Sequence, residues 1–448
     1  MKIVILGAGE SGVGAAILAQ QKGYEVFVSD MGHIQDKYKV QLSAHNLRWE
    51  EGKHTPEAIL DADEVIKSPG IPETAPMVRT LREKGIPIIS EIEFAGRYTQ
   101  ARTICITGSN GKTTTTSLIY HILQKAGFNV GLAGNIGRSF ALQVAEGDVD
   151  WYVIELSSFQ LDDMFRFRAD IAVLLNITPD HLDRYDFKME NYVASKMRIL
   201  QNQRPQDTFI YWAGDEHIPT QLQQLAPASR LLAFADAPEA GAAAYAENGL
   251  LTIDQPTPFT MALSELSLPG RHNLRNSMAA ALAAQSAGVD EATIRAGLAD
   301  FPGVPHRLEK VADVAGVHYV NDSKATNVDA CYCALESMQT PVVLILGGTD
   351  KGNDYKEIAP LVREKCRALV FLGADNSKLQ DFFANFNLPI SDTHSMKDCV
   401  AACAAAAQPG DTVLLSPCCA SFDLFRNMGD RGDQFKALVR AMQSAEKA

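Results

Sequence analysis

No stretch of this sequence is apolar for long enough to cross a bilayer. The run after Met1, Lys2-Ile3-Val4-Ile5-Leu6-Gly7, is soon broken by glycines and Glu10, so neither a signal peptide nor a membrane span fits. Cationic charge is scarce as well: 41 Lys and Arg stand against 54 Asp and Glu, for a formal net charge of −13 and a pI near 5.3. That balance argues against a nucleic-acid partner, while a local basic cleft could still hold phosphates. Metal-type cysteine spacing is missing too. Of the eight cysteines, Cys331 and Cys333 are one residue apart, Cys418 and Cys419 are adjacent, and the others are scattered. Reduced thiols in a cytoplasmic protein are the simplest reading. There is no internal repeat, and the alanine-rich tract 401–407 reads as a helix rather than a disordered segment.

What is present is the material of several domains. At 448 residues the chain exceeds one ordinary core, and length alone points to about three. Short apolar runs at 3–6, 25–29, 64–67 and 86–89 alternate with helical patterns, the signature of a parallel sheet flanked by helices. A polar stretch, 96–102, sets the first boundary, so the first region is 1–96. Strand candidates at 103–107, 151–155 and 171–177 and an alanine-rich helix at 273–287 fill a central region, 97–303. The helix-breaking cluster Phe301-Pro302-Gly303-Val304-Pro305 closes it. Strand patterns then resume at 317–320, 342–346, 368–372 and 412–415, giving a third α/β region, 304–448.

The densest chemistry lies in Thr107-Gly108-Ser109-Asn110-Gly111-Lys112-Thr113-Thr114, between a strand and a helix. Gly108 and Gly111 let backbone N–H groups turn toward an anion, Lys112 brings positive charge and Thr113 offers a hydroxyl to Mg²⁺, so a nucleoside triphosphate is the expected ligand. Only two residues separate the glycines, where the common phosphate loop has four. A second glycine turn, Gly7-Ala8-Gly9-Glu10-Ser11-Gly12, follows the first strand, with Asp30 about 20 residues on. By itself this says NAD. Because a nucleotide loop already exists downstream, another nucleotide diphosphate fits better, and a purely structural turn stays open. Ser68-Pro69-Gly70 follows the third expected strand and is either a second wall of that pocket or only a loop.

Glu155 ends the apolar run Trp151-Tyr152-Val153-Ile154. A buried carboxylate needs a partner, and Mg²⁺ at the phosphate loop is one; a solvated strand end is the alternative. His181, in Asn176-Ile177-Thr178-Pro179-Asp180-His181, lies just past the next strand. Lys196 reads from physics alone as an ordinary exposed helical lysine. Asn273 and Asn276 open the alanine-rich helix, and Arg307 follows the helix-breaking cluster. An amide there suits an adenine edge and a guanidinium suits a phosphate, with helix capping the alternative for Asn273. In the third region three loops follow strands: Asn321-Asp322-Ser323-Lys324-Ala325-Thr326-Asn327, Gly347-Gly348-Thr349-Asp350-Lys351-Gly352 and Ser416-Pro417-Cys418-Cys419-Ala420-Ser421-Phe422-Asp423. Sharing one sheet edge, they would suit a small anionic substrate.

These motifs, in this order and over nearly the whole chain, resemble the Mur ligases, the ATP-dependent amide ligases of peptidoglycan precursor synthesis. Glu155-Leu156-Ser157-Ser158-Phe159-Gln160-Leu161, the 321–327 and 416–423 loops and Arg431-Gly432 resemble the branch that adds D-glutamate to UDP-N-acetylmuramoyl-L-alanine. The resemblance implies a Rossmann-like N-terminal sheet, a central P-loop ATPase-like domain and a Rossmann-like C-terminal domain. It implies that ATP meets the loop residues Gly108, Ser109, Asn110, Gly111, Lys112, Thr113 and Thr114, together with Asn276, Arg307 and Asp322. Two Mg²⁺ ions are implied on Thr113, Glu155, His181 and Lys196, the last as a carbamate. It assigns Lys112, His181 and Lys196 to catalysis. The UDP substrate is expected at Glu10, Ser11, Asp30, Ser68, Pro69, Gly70, Asn135, Ser157 and Gln160. D-Glutamate is expected at Lys324, Thr326, Lys351, Ser421 and Phe422. One departure stands out: some relatives carry an arginine after the acidic residue that ends the second strand. Here Asp30 is followed by Met31-Gly32-His33, leaving His33, Lys37 or backbone N–H groups near Glu10 and Ser11 to hold the pyrophosphate.

Overall fold

Strands that read as continuous apolar runs become buried on both faces. In the computed structural model, which describes residues 1–446, Ile3, Val4, Ile5 and Leu6 are fully buried, as a helix-covered parallel sheet requires. The last two residues of the expected third region lie outside the described residues. Contacts divide the chain into two units: Met1–Leu266 with Leu274–Phe301, and Ser267–Asn273 with the chain from Pro302 onward.

The first unit contains two sheets. One is built from β1 (Lys2–Leu6), β2 (Glu25–Asp30), β3 (Arg48–Glu51), β4 (Glu64–Lys67) and β5 (Ile88–Ile89), in the order β3-β2-β1-β4-β5 and all parallel. The strand order reverses between β1 and β4, and such a reversal opens a crevice at the C-terminal strand ends. The other sheet has nine strands: β6 (Arg102–Thr107), β7 (Val130–Gly134), β8 (Trp151–Glu155), β9 (Ile171–Leu174), β10 (Thr208–Trp212), β11 (Arg230–Phe234), β12 (Ala242–Glu247), β13 (Leu250–Ile253) and β14 (Phe259–Ala262). Their order is β14-β13-β12-β11-β10-β9-β6-β8-β7, with only the last hairpins antiparallel. Strands β10 to β14 were not expected from the sequence. Ala242-Ala243-Ala244 has no β-branched residue, and its place in the sheet is set by its neighbours rather than by its own propensity.

The second unit carries β15 (Glu309–Val314), β16 (Val317–Asn321), β17 (Val342–Leu346), β18 (Cys366–Leu372), β19 (Ile390–Thr393) and β20 (Thr412–Leu415), in the order β15-β16-β20-β17-β18-β19. All pairs but β15–β16 are parallel. The expected α/β class with three sheets is what the chain forms. The alanine-rich tract lies in the helix Met396–Ala406.

Candidate active site

The N-terminal sheet opens a cleft of about 660 Å³ at the ends of β1, β2 and β4, with Gly7, Gly9, Asp30, Ser68 and Gly70 in its walls. Four residues of the two glycine turns and Asp30 therefore meet. Asp30 is already engaged: Ala8 N–H donates to one oxygen at 2.6 Å and Gly32 N–H to the other at 2.7 Å, which fixes the glycine turn. Glu10 faces away, accepting from Tyr38 Oη at 3.2 Å and from Ser139 N at 3.4 Å. Neither expected substitute for the missing arginine lines the cleft: His33 lies 3.1 Å from Glu51 and Lys37 sits over the Tyr38 ring. The opposite wall, formed by Ile71, Pro72, Ala75, Met77 and Val78, is apolar, and His54 joins it. Sequence reading missed that wall because its residues look like ordinary core.

In the central sheet the phosphate loop sits at the end of β6, with the helix Lys112–Lys125 beginning at Lys112. Gly111 adopts φ +85°, and a Cβ there would lie 2.5 Å from Asn276 Oδ1, so only glycine fits. Asn276 is thereby placed beneath the loop, where it also accepts from Thr115 Oγ1 at 3.2 Å. Asn176, just past β9, braces the loop from the side: its Oδ1 accepts from Asn110 N at 2.8 Å and its Nδ2 donates to Asn110 O at 3.1 Å. Ser109 Oγ donates to Thr178 O at 2.8 Å and lies 3.1 Å from Tyr192 Oη. Asn176 and Tyr192 were not among the expected site residues, although Asn176 opens the motif that contains His181.

Lys112 Nζ donates to Gly108 O at 2.7 Å and Ser109 O at 2.8 Å. Lys196 Nζ reaches the same Gly108 carbonyl at 2.8 Å and Thr107 Oγ1 at 3.4 Å. The reading of Lys196 as an exposed helical lysine is overturned: it is 2% exposed. Burial, reinforced by the Lys112 charge, pushes its amine well below the usual lysine range. Glu155 is likewise buried, which removes the solvated strand end. One oxygen accepts from Asn135 Nδ2 at 2.8 Å, and the other has no hydrogen-bond partner.

A buried, unpaired carboxylate oxygen beside a phosphate loop is a fit for a divalent cation. No cluster of three or more His, Cys, Asp or Glu side chains is placed to hold a metal among the described residues. The free Glu155 oxygen fits Mg²⁺, which takes one or two carboxylates and completes its shell with phosphate and water. His181 takes a left-handed conformation, φ +53°, and its ring meets Phe159 edge-on at 5.2 Å. Ser157 and Gln160 lie beyond β8 near Glu155, not at the N-terminal cleft, and form a capping box that starts the helix Ser158–Asp162.

In the second unit the three expected loops follow β16, β20 and β17, which are neighbours in the sheet. Lys324, Thr326, Lys351, Ser421 and Phe422 thus share one edge; Ser421 is buried and Phe422 is 72% exposed. Asp322 is buried, accepts from Ser416 Oγ at 2.9 Å and lies 3.8 Å from Arg307. Burial pushes its carboxyl up to about 6, against the pull of Arg307. The fully buried Arg431 ties the loops together, donating to Ser323 Oγ at 2.9 Å, Ser323 O at 2.8 Å and Cys419 O at 3.1 Å. Its bracing role has no signature in the sequence beyond following the third loop.

Family models match three consecutive parts of the chain: the MurD N-terminal domain over residues 2–77, the Mur ligase middle domain over 106–284, and the Mur ligase glutamate ligase domain over 306–419. UDP-N-acetylmuramoylalanine–D-glutamate ligase of Bacteroides thetaiotaomicron is 61% identical over 442 residues, covering 98% of this chain and 100% of that one. The Porphyromonas gingivalis enzyme of the same name is 57% identical over 440 residues, 98% of each. Among solved structures, UDP-N-acetylmuramate–alanine ligase from Thermotoga maritima shares the fold with a TM-score of 0.63 at 18% identity, covering 99% and 100% of the two chains. A pseudomurein peptide ligase type C from Methanothermus fervidus gives 0.60 at 18%, over 99% of each. With glycine turn, phosphate loop and strand-end loops in the family's order, this chain belongs to the UDP-N-acetylmuramoylalanine–D-glutamate ligase family of Mur ligases.

Proposed function

We propose that this protein uses ATP to join D-glutamate to UDP-N-acetylmuramoyl-L-alanine in peptidoglycan precursor synthesis. The observation that carries the site assignment is the meeting of the phosphate loop with two buried, mismatched groups, the half-partnered Glu155 and the desolvated Lys196. The nicotinamide reading of the Gly7–Gly12 turn falls with the family. Expelling oxide from a carboxylate is prohibitive, so the acid must first be activated. The substrate carboxylate attacks the γ-phosphorus of ATP, giving an acyl phosphate and ADP; the D-glutamate amine then attacks the acyl carbon, and phosphate leaves as the amide forms.

Each group of the chain has a part in this. Lys112, now resting on loop carbonyls, turns to the phosphate oxygens and offsets the charge gathered there. The Thr113 hydroxyl, the free oxygen of Glu155, His181 and a carbamylated Lys196 would hold Mg²⁺, which when bound supplies positive charge to the phosphates in flight. Carbamylation needs a neutral amine, and the depressed basicity of Lys196 provides it. The cleft at β1, β2 and β4 takes the UDP moiety, its apolar wall facing the base, while Asn135, Ser157 and Gln160 lie toward the acyl end near Glu155. Lys324, Thr326, Lys351, Ser421 and Phe422 receive D-glutamate. Asn276, beneath the loop, attends the ATP nucleoside; in the second unit Arg307 and Asp322 form a pair suited to a phosphate and a ribose. ATP, a UDP-linked substrate and eight free cysteines support a cytoplasmic location; no helix among the described residues is long and apolar enough to cross a membrane.

The test is phosphate release with ATP, Mg²⁺ and UDP-N-acetylmuramoyl-L-alanine. Release should require D-glutamate. Better turnover with L-lysine, meso-diaminopimelate or L-glutamate would overturn the substrate assignment.

A further inference from the structure

The edge of the central sheet opposite the phosphate loop holds a second polar cleft, of about 820 Å³, at the N-terminal ends of β6 and β9. Five arginines line it, Arg97, Arg102, Arg166, Arg168 and Arg204, with Glu93 and Asp170; counting Glu64 and Asp207, which bond two of those arginines, the cleft keeps one positive charge in excess on a chain whose net charge is −13. Two arginines are neutralised: Arg97 is bidentate to Glu64 at 2.7 and 2.9 Å, and Arg168 lies 3.0 Å from Asp170 and is bonded to Asp207. The other three, Arg102, Arg166 and Arg204, pair with no carboxylate among the described residues. Arg102 is held in place by stacking on Trp151, 4.1 Å from its ring centre.

The backbone around them is fixed. Buried Glu93 accepts from the N–H groups of Phe165, Arg166 and Phe167 at 2.9 to 3.2 Å. Asn202 Nδ2 donates to the carbonyls of Phe165 and Phe167 at 2.9 and 3.0 Å. Asp170 accepts from Thr103 N at 2.8 Å. Three unpaired guanidinium forks around a fixed concave floor are the arrangement that binds a multiply charged oxyanion, and the cleft has the volume of a small-molecule site. It is separate from the ATP loop: β6 runs from Arg102 to Thr107, so the two lie roughly 20 Å apart.

We propose that this arginine cleft is a second anion site, which binds an oligophosphate group through Arg102, Arg166 and Arg204. The phosphate can belong to free polyphosphate or to a nucleotide. The probes are inorganic tripolyphosphate and CTP, titrated calorimetrically at low ionic strength into the full chain carrying Lys112→Ala, so that the ATP loop is weakened. One equivalent of tripolyphosphate should bind, and adding Arg166→Ser and Arg204→Ser should weaken it about a hundredfold. That double variant leaves the Arg102–Trp151 stack in place, and its thermal unfolding should match that of the parent. Tighter binding of CTP would identify a nucleotide as the source, and equal binding would identify bare phosphate. In the chain with Lys112 intact, Arg166→Ser with Arg204→Ser should keep the ligase kcat and KM within about twofold. No saturable binding to the Lys112→Ala protein, or equal binding after removal of both arginines, would overturn the proposal.

Discussion

Lys196 shows how a single residue can carry two opposed sequence readings. Its pattern, Tyr192-Val193-Ala194-Ser195-Lys196-Met197-Arg198, gives no sign of burial, because a helix can turn a lysine to solvent or inward with equal ease. Only the packed structure places its Nζ against Gly108 O. If Lys196 works as an anionic carbamate, Lys196→Ala should lower kcat about a hundredfold or more, and acetate or formate should restore part of it by entering the space. Steady-state phosphate release with and without the acids measures this, and full activity in the variant would remove Lys196 from the site. Glu155 was legible for a better reason: a carboxylate ending a run of four apolar residues has to be buried or wasted. Asn176 and Arg431 were not legible as braces, since bracing a loop depends on which loop arrives beside it.

At the level of elements, the helix Phe140–Glu146 is held by a carboxyl from another segment. Glu91 accepts from Ser139 Oγ at 2.6 Å and Ala141 N at 2.7 Å, its second oxygen is unpartnered, and Gly14 leaves the space that Ser139 fills: a Cβ at that glycine would lie 2.0 Å from Ser139 Oγ. Burial raises the Glu91 carboxyl from 4.5 to about 7, and the nearby Glu10 charge adds to the rise. A carboxyl raised on folding gives its full support to the native state only below pH 4.5, and that support is lost as pH climbs toward 7. The shift corresponds to about 3 kcal/mol. Glu91→Gln should therefore flatten the fall in stability between pH 5 and 7.5, read from urea midpoints across that range; an unchanged slope would show that Glu91 does not titrate there. In the second unit Arg431 serves three loops at once, its Nη1 also reaching Gly347 O at 3.5 Å, and burial lowers its guanidinium to about 10, so it stays charged at neutral pH. Arg431→Met strands the carbonyls of Ser323 and Cys419 and should cost about 3 kcal/mol, with a higher KM for D-glutamate than for ATP. The strands around these braces were readable where apolar runs are dense, as in β8 and β17. They were missed where charged residues dominate, as in Arg48–Glu51 and Glu309–Val314, because an edge strand needs only one apolar face.

Across the whole molecule, three sheets carry the sequence's motif loops at the C-terminal ends of their parallel strands, and the order of motifs along the sequence was enough to anticipate which loop falls on which sheet. β12 was invisible for the opposite reason, since no motif marks it and alanine supplies little strand preference. The division of labour has a consequence that separates binding from chemistry. The cleft lined by Gly7, Asp30 and Ser68 belongs to the first sheet, whereas Lys112 donates to Gly108 O and Ser109 O of the loop on the second. Removing the Lys112 side chain deletes the charge assigned to the γ-phosphate but leaves Asp30 holding Ala8 and Gly32 as before. Lys112→Ala should thus lower kcat about a thousandfold, the scale of losing one preorganised cationic contact to a developing anion, while UDP affinity stays within about twofold, as distant sites without shared partners add independently. Calorimetric titration of UDP into both proteins, beside single-turnover acyl-phosphate formation, separates the two effects. A large loss of UDP affinity would mean that the nucleotide is held at the phosphate loop, and the assignment of the two sheets would have to be exchanged.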